Sequence, residues 1–429
     1  MSGYQLPATN YQLIMAKEHY ITGLDIGTSH IRAVQGKVLP TGKVQVIGSA
    51  EVLSAGLRKG VIIDIEEAVS SISTALERVE RMTGVAVLSA NISVSGSHIS
   101  SINSHGVIAV SRADGEITEA DVIRVVDASQ AISIPSNREV LHVFPKSFTL
   151  DGQSGIKDPA GMTGIRLEVE SIIVQAGSPF VKNLSRSVMQ AGLEINELVL
   201  GVLAASESVL SKRQKDLGVC VVDLGAGTTG IAVYEEGDLL HTSVIPIGNQ
   251  HLTNDIAIGL RTGIETAEKV KLAYGHCDVR AIDKNQEINL SDFDQTEQQT
   301  TLRGLVVEII EARLEEIFDR VNAELKRINR DGKLPAGIVL TGGGANLPGV
   351  VDFAKKHLRL PTVLGVGQNI DTVIDRVTDS SFATAVGLVL WAHKYGSGGS
   401  GSSFNASLSS ILKHPGVDKA KRWLKSLLP

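Results

Sequence analysis

Residues 218–230, GVCVVDLGAGTTG, constrain the fold of this chain more than any other stretch. Val219, Cys220, Val221 and Val222 form a short apolar run, the pattern of a strand buried on both faces. Asp223 ends the run. Gly225, Ala226, Gly227, Thr228, Thr229 and Gly230 then lead into a second β-type run. Small residues at such a turn let backbone N–H groups approach an anion, and the threonine hydroxyls add donors. An aspartate at the strand end can hold a hydrated Mg²⁺ beside phosphate oxygens. Alone, the pattern also fits an ordinary glycine-rich β-turn.

The same grammar occurs near the N-terminus. Residues 21–32, ITGLDIGTSHIR, run from an apolar strand to Asp25, then Gly27, Thr28 and Ser29, then another apolar run. Two strand–Asp–Gly–hydroxyl hairpins in one chain predict two related half-domains facing one polyphosphate. A third cluster, LTGGG at 340–344, follows a short strand, and Gly342, Gly343 and Gly344 leave bare backbone for a base and ribose. There is no GxxxxGK[ST] phosphate loop, and no GxGxxG with its distal acid.

In this order, DIGTS, DLGAGTT and LTGGGA resemble the phosphate-1, phosphate-2 and adenosine motifs of the actin, sugar kinase and heat-shock chaperone ATPases. Residues 155–168 (GIKDPAGMTGIRLE), 218–234 and 382–388 (FATAVGL) narrow this to the FtsA family of bacterial actin-like division proteins. The resemblance runs from about residue 20 to residue 391. It implies an α/β fold: two actin-like (ribonuclease H-like) domains around a nucleotide cleft, an α+β insertion subdomain, and a C-terminal amphipathic helix on a flexible linker. It also implies ATP or ADP with Mg²⁺ as cofactors. Asp25 and Asp223 would hold Mg²⁺ through water. Gly27, Thr28, Ser29 and residues 225–229 would hold the phosphates, with Arg32 as a further phosphate contact. Glu268 and Lys271, in an AEKVK segment like the family's ribose-contacting one, would hold the nucleoside with Gly342–Gly344. Being three apart, Glu268 and Lys271 also fit a plain exposed ion pair.

The same resemblance orders the chain. Residues 1–20 read as a flexible extension, and 21–84 with 164–216 as the first domain. Residues 85–163 are the insertion, with β-type runs at 91–95, 107–111, 139–145 and 147–150 around a helix over 119–131 capped by Thr118. Residues 217–249 and 333–395 form the second domain, and 250–332 its helical lobe. Spacing predicts helices over 64–82 and 302–328, and capping boxes at Asp64/Glu67 and Thr262/Glu265. At the crossover near 198–210, the position where related ATPases orient water falls on Gly201–Val202. Gly201 cannot polarise water, so Glu207, two turns on, would have to compensate, and hydrolysis should be slow. In the family the helical lobe receives the C-terminal tail of FtsZ. Arg313 lies where it could pair with a tail carboxylate, or it is simply a solvated helix charge.

Net charge is −6, so there is no general basic field and nucleic acid is not an expected partner. The two cysteines are far apart in sequence, and Cys220 falls inside a predicted core strand, so a reducing compartment is expected. No apolar run reaches membrane-spanning length and no signal peptide is evident. Residues 396–412 are a Gly/Ser-rich linker, and 413–429 a basic amphipathic segment. Its apolar side carries Val417, Trp423, Leu424, Leu427 and Leu428, and its other side Lys421, Arg422 and Lys425. That composition fits an interfacial membrane anchor on an anionic surface, with docking on another protein as the alternative. The implied function is a peripheral division protein on the inner face of the cytoplasmic membrane. It would polymerise with itself, hold the FtsZ ring there and recruit other divisome membrane proteins, with at most weak ATPase activity. A pilus-assembly adaptor of actin-like fold and a sugar kinase are the alternatives.

Overall fold

The computed structural model describes residues 18–396 apart from 113, 132–134, 369 and 373. Two mixed α/β domains repeat one arrangement. In the first, an antiparallel hairpin (Tyr20–Ile26 and His30–Val38) continues into Val44–Leu53, and Tyr20–Ile26 lies parallel to Ser89–Val94. Glu194–Leu200 and Asp371–Thr372 complete that six-stranded sheet at its edges. In the second, the hairpin Val219–Leu224 and Thr229–Glu235 continues into Asp238–Ile245, and Val219–Leu224 lies parallel to Ile338–Thr341, with Thr362–Leu364 outermost. The apolar runs beside the two aspartates are therefore central strands. Leu24, Val221 and Val222 are fully buried, as strands covered on both faces must be. Cys220 is buried among them, and burial pushes its thiol up.

Helix Ile65–Thr83 covers the first sheet through Ala68, Ile72, Ala75, Leu76 and Val79. Asp64 caps it by accepting from the Glu67 amide, and Gly84 ends it in a left-handed conformation. Two further helices tie the domains together. The crossover helix Gly201–Val209 packs on the closing helix Ala383–Tyr395 so closely that a methyl on Gly387 would sit 1.9 Å from the Ala204 carbonyl oxygen. The small residues of FATAVGL serve that approach. In the helical lobe, Asn249–Leu260 and Ile264–Tyr274 pack with the long helix Arg303–Arg327 around Ile256, Val270, Ile310, Leu314 and Phe318. The predicted Thr262/Glu265 box does not form. Gly263 is the cap residue, and the Thr262 hydroxyl bonds Glu297 instead.

The insertion differs from expectation at both ends. Ser89–Val94 belongs to the first domain's sheet, so the insertion starts after it. Its own four-stranded sheet is Ser100–Ala109, Arg166–Gly177, Arg138–Leu150 and Gln153–Ile156. Arg166–Gly177, expected back in the first domain, runs antiparallel between two insertion strands. Period-2 patterning cannot say which sheet a strand joins. Helix Glu119–Gln130 covers one face, with a reciprocal capping box between Thr118 and Asp121. The insertion also touches the second domain: Ser101 Oγ donates to the Thr242 carbonyl at 2.6 Å, and Lys157 pairs with Asp238. The linker and the segment 413–429, with Val417 through Leu428, lie outside the described residues, as do residues 1–17.

Candidate nucleotide cleft

Asp25 and Asp223 lie at the ends of their central strands, one in each domain, close enough for the charge of Asp25 to act on Asp223. Dehydration at the cleft floor raises both carboxyls. Asp223, which also feels the charge of Asp25, is pushed up to about 7. Ser93 Oγ donates to Asp25 at 2.7 Å and accepts from the Ile26 amide, while the Thr384 hydroxyl bonds Asp223. Two mutually repelling carboxylates at the floor of a cleft are a fit for a divalent cation. Among the described residues no group of three or more His, Cys, Asp and Glu side chains is placed to hold a metal. A cation there would complete its shell with phosphate oxygens and water.

The two glycine–hydroxyl turns meet. A methyl on Gly227 would sit 2.7 Å from Thr28 Oγ1 and 2.8 Å from Lys59 Cα. Thr28 Oγ1 accepts from the Gly60 amide at 2.9 Å, and Thr228 Oγ lies 3.1 Å from Ser95 Oγ. Gly27 bonds back to the His30 carbonyl, and Ser29 Oγ is 2.9 Å from His30 Nδ1. The carbonyls of Gly225 and Ala226 accept from the Asn249 and Gln250 amides, which seats helix Asn249–Leu260 on the second turn. Of the predicted phosphate ligands, Thr229 is turned away. It is fully buried and donates to the Ile247 carbonyl at 2.8 Å, so it braces the hairpin.

The third motif closes the floor. Gly342 has φ +83°, and a methyl there would sit 2.3 Å from Asp223 Oδ1, so only glycine allows the chain to pass over that carboxylate. Gly343 is open, with only Ser381 Cβ near 3.8 Å, and Gly344 is packed on Leu224 and Asn249. Lys271 is buried and donates to Glu268 at 2.6 Å and to Thr253 at 2.8 Å, so the pair is no exposed surface bridge. Glu268 is half-exposed and acts on His30 of the first domain, whose imidazole is held below its ordinary value by burial and by Arg32 and Arg376. The geometry thus brings Glu268 and the first hairpin to the same cleft.

Three expected roles change. Arg32 does not stand free for a phosphate. It bonds Glu51 at 2.7 Å, stacks over the Phe382 ring at 5.5 Å, and influences Asp25 and Asp223 through its charge. Glu207 cannot stand in for a water-orienting residue, because Lys215 at 2.8 Å, Lys394 at 3.2 Å and Tyr395 hold it at the far end of the crossover helix. Arg313 is bidentate to Asp255 and also paired with Glu316, which fastens the long helix to Asn249–Leu260. Ser93, Ser95, Lys59 and Thr384 escaped sequence reasoning. They lie outside the three glycine motifs, and single hydroxyls on apolar segments carry no spacing signal.

Comparison with known proteins identifies the family and the fold. Residues 220–387 match the family "Cell division protein FtsA", and residues 96–175 match "SHS2 domain inserted in FTSA". The cell division protein FtsA of Pseudomonas aeruginosa is 38% identical over 94% of this chain and 97% of its own length. The chain belongs to the FtsA family. The Bacillus subtilis relative is 39% identical over 87% of this chain and 83% of its own, and that of Escherichia coli 32% over 94% and 97%. Among solved structures, a PilM–PilN type IV pilus biogenesis complex aligns with TM-score 0.64 at 15% identity, covering 86% of this chain and 97% of its own. MreB5 of Spiroplasma citri bound to AMPPNP aligns with TM-score 0.52 at 15%, covering 87% and 96%. These neighbours establish the actin-like fold expected from the three motifs. The span of 96–175 also agrees with an insertion that begins after Ser89–Val94. Among the described residues no helix is long and apolar enough to cross a membrane.

Proposed function

We propose that this FtsA-family chain binds ATP with Mg²⁺ between its two domains and assembles with copies of itself on the inner face of the cytoplasmic membrane. There it holds the FtsZ ring and recruits further divisome membrane proteins. The observation that carries the reading is the pair of strand-end carboxylates, Asp25 and Asp223, opposed at the floor of a cleft whose walls are two glycine–hydroxyl turns. The nucleotide-bound MreB5 neighbour supports it at the level of fold. Asp25 and Asp223 would hold the cation through water. Gly27, Thr28, Ser29 and residues 225–228 would hold the phosphates, and Glu268, Lys271 and Gly342–Gly344 the nucleoside. With no polarising group at Gly201–Val202 and Glu207 engaged elsewhere, hydrolysis is slow. ATP favours the closed, assembly-competent arrangement.

Membrane attachment rests on 413–429, whose basic and apolar sides suit an anionic interface. One such helix binds reversibly, and many on one assembly bind by avidity, with a gain of about 10²–10⁴. A tail carboxylate of FtsZ reaching Arg313 would have to displace Asp255 or Glu316. The deciding test is calorimetric titration of Mg-ATP into the full chain and its Asp223→Asn variant, with co-sedimentation on anionic vesicles of the full chain and of a chain ending at Tyr395. Binding lost in the variant, and sedimentation lost on truncation, are the expected results. Vesicle binding undiminished by truncation would exclude the anchor.

A further inference from the structure

The small hairpin Leu57–Arg58 and Val61–Ile62 belongs to none of the three glycine motifs, yet its tip touches the first two. Four segments meet there. The Gly60 amide donates to Thr28 Oγ1 at 2.9 Å, and a methyl on Gly227 would sit 2.8 Å from Lys59 Cα. A methyl on Gly60 would sit 2.9 Å from the Gly96 amide nitrogen, next to the Ser95 hydroxyl that reaches Thr228. A first-domain hairpin thus spans to the second domain's phosphate turn. Lys59 itself has φ +50°, a left-handed conformation that residues other than glycine adopt rarely and that accumulates where ligands are clamped. Its side chain is exposed, and it pairs with no carboxylate among the described residues. The two arginines whose charge reaches His30 in the cleft, Arg32 and Arg376, both pair with Glu51.

Resting on the nucleotide reading above, we infer that the Lys59–Gly60 tip is a third wall of the phosphate site, with Lys59 supplying a cation to the distal phosphates. The chemistry matches the place. A polyphosphate bound beside Thr28 and Gly227 brings negative charge to a floor that already holds two carboxylates, and an ammonium on a flexible stem serves as a mobile point charge for phosphate. Because the tip already touches Gly227 across the cleft, a phosphate held by both would hold the domains together. It also orders affinity by phosphate count: ATP above ADP, with adenosine indifferent.

The experiment is equilibrium titration of the full chain and its Lys59→Ala, Lys59→Glu, Lys59→Arg and Lys59→Gly variants with ATP, ADP and adenosine in Mg²⁺. Lys59→Ala should weaken ATP about tenfold, the size of one partly solvated charge pair, with less loss for ADP and none for adenosine. Lys59→Glu should lose more, Lys59→Arg should stay near the parent, and the losses should shrink at high salt. Lys59→Gly separates charge from folding. It relieves the left-handed backbone, so its thermal midpoint should not fall while its ATP affinity does. ATP affinity unchanged in Lys59→Glu, or equal losses for ATP and adenosine, would overturn the role given to Lys59 alone. Failure of the unaltered chain to bind ATP would overturn the nucleotide reading with it.

Discussion

The two phosphate hairpins are near copies in sequence and unlike in surroundings. In the first, the residue directly across from Asp25 is Arg32; in the second, the residue across from Asp223 is Gly230. One carboxylate therefore has a guanidinium for its cross-strand neighbour and the other has none of its own. Gly230 cannot carry a side chain because the crossover helix lies on it: a methyl there would sit 2.9 Å from Val202 Cβ. The reverse holds two positions before each aspartate. Gly23 lies under the closing helix, 2.4 Å from the Ala385 carbonyl oxygen if given a methyl, while its counterpart Val221 is an ordinary core residue. A duplicated strand–turn–strand unit thus keeps its acid and its turn, and everything else follows which interdomain helix covers it. Burial raises both carboxyls, and Asp223, which also feels the charge of Asp25, is pushed up to about 7.

Exchanging the covered positions should break the comparison most severely. Gly23→Val puts its β-carbon 2.4 Å from the Ala385 carbonyl oxygen and 2.8 Å from Leu388 Cβ, and backbone must move. A loss of about 3 kcal/mol or more in urea unfolding is expected. Val221→Gly in the other hairpin leaves a cavity and a looser strand, for about 2–4 kcal/mol. If Gly23→Val proved neutral, the closing helix would not be seated as described.

Next in size is the pH dependence of the nucleotide-free protein. A carboxyl whose folded value is raised binds its proton more tightly in the native state. Its stabilising contribution is complete below about pH 4 and is lost as pH rises through about 7. Asp223→Asn removes that loss. The variant should be more stable than the parent at pH 8 without Mg²⁺, by about 1–2 kcal/mol after allowance for the half-buried position, and should show a flatter midpoint-against-pH curve. Asp25→Asn should gain less, because the Arg32 guanidinium stands directly across from Asp25. Equal gains from both substitutions would mean that Arg32 does not distinguish the hairpins.

Gly230→Ala tests the cause directly. The added methyl meets Val202 Cβ, for a cost of about 1 kcal/mol, and in a double-mutant cycle Val202→Gly, which removes that carbon, should couple favourably with it, whereas Val202→Ala, which keeps it, should not. Additive losses in that double-mutant cycle would place the helix elsewhere.

Much of this was legible in the residues. Asp–Gly–hydroxyl turns at the ends of apolar runs announce two equivalent hairpins, and the triple glycine announces the third element, because those residue types are demanded by backbone approach. Helices with a clear apolar stripe, such as Arg303–Arg327, are likewise visible. What was not legible depends on contacts between distant segments. Arg32 looks like a phosphate ligand until Glu51 and Phe382 are placed beside it, and Glu207 looks like a spare acid until Lys215 and Lys394 surround it. There burial pushes the Glu207 carboxyl up, and the two lysines outweigh it. Sheet membership is of the same kind. Ser89–Val94 and Arg166–Gly177 both read as strands, and only their partners assign one to the first domain and the other to the insertion.

The smallest expected difference lies between the turn hydroxyls themselves. Thr28→Val leaves the Gly60 amide without its acceptor inside the first domain, which should cost about 1 kcal/mol of stability. Thr228→Val removes a contact to Ser95 that spans the domains, and the freed hydroxyl can turn to water, so stability should change by about 0.5 kcal/mol or less. ATP affinity should order the other way if closure needs the spanning contact, with Thr228→Val the weaker binder. Unfolding midpoints and ATP titrations on the two variants give four numbers. A common ranking in both measurements would show that the hydroxyls act alike and that the hairpins differ only at their aspartates.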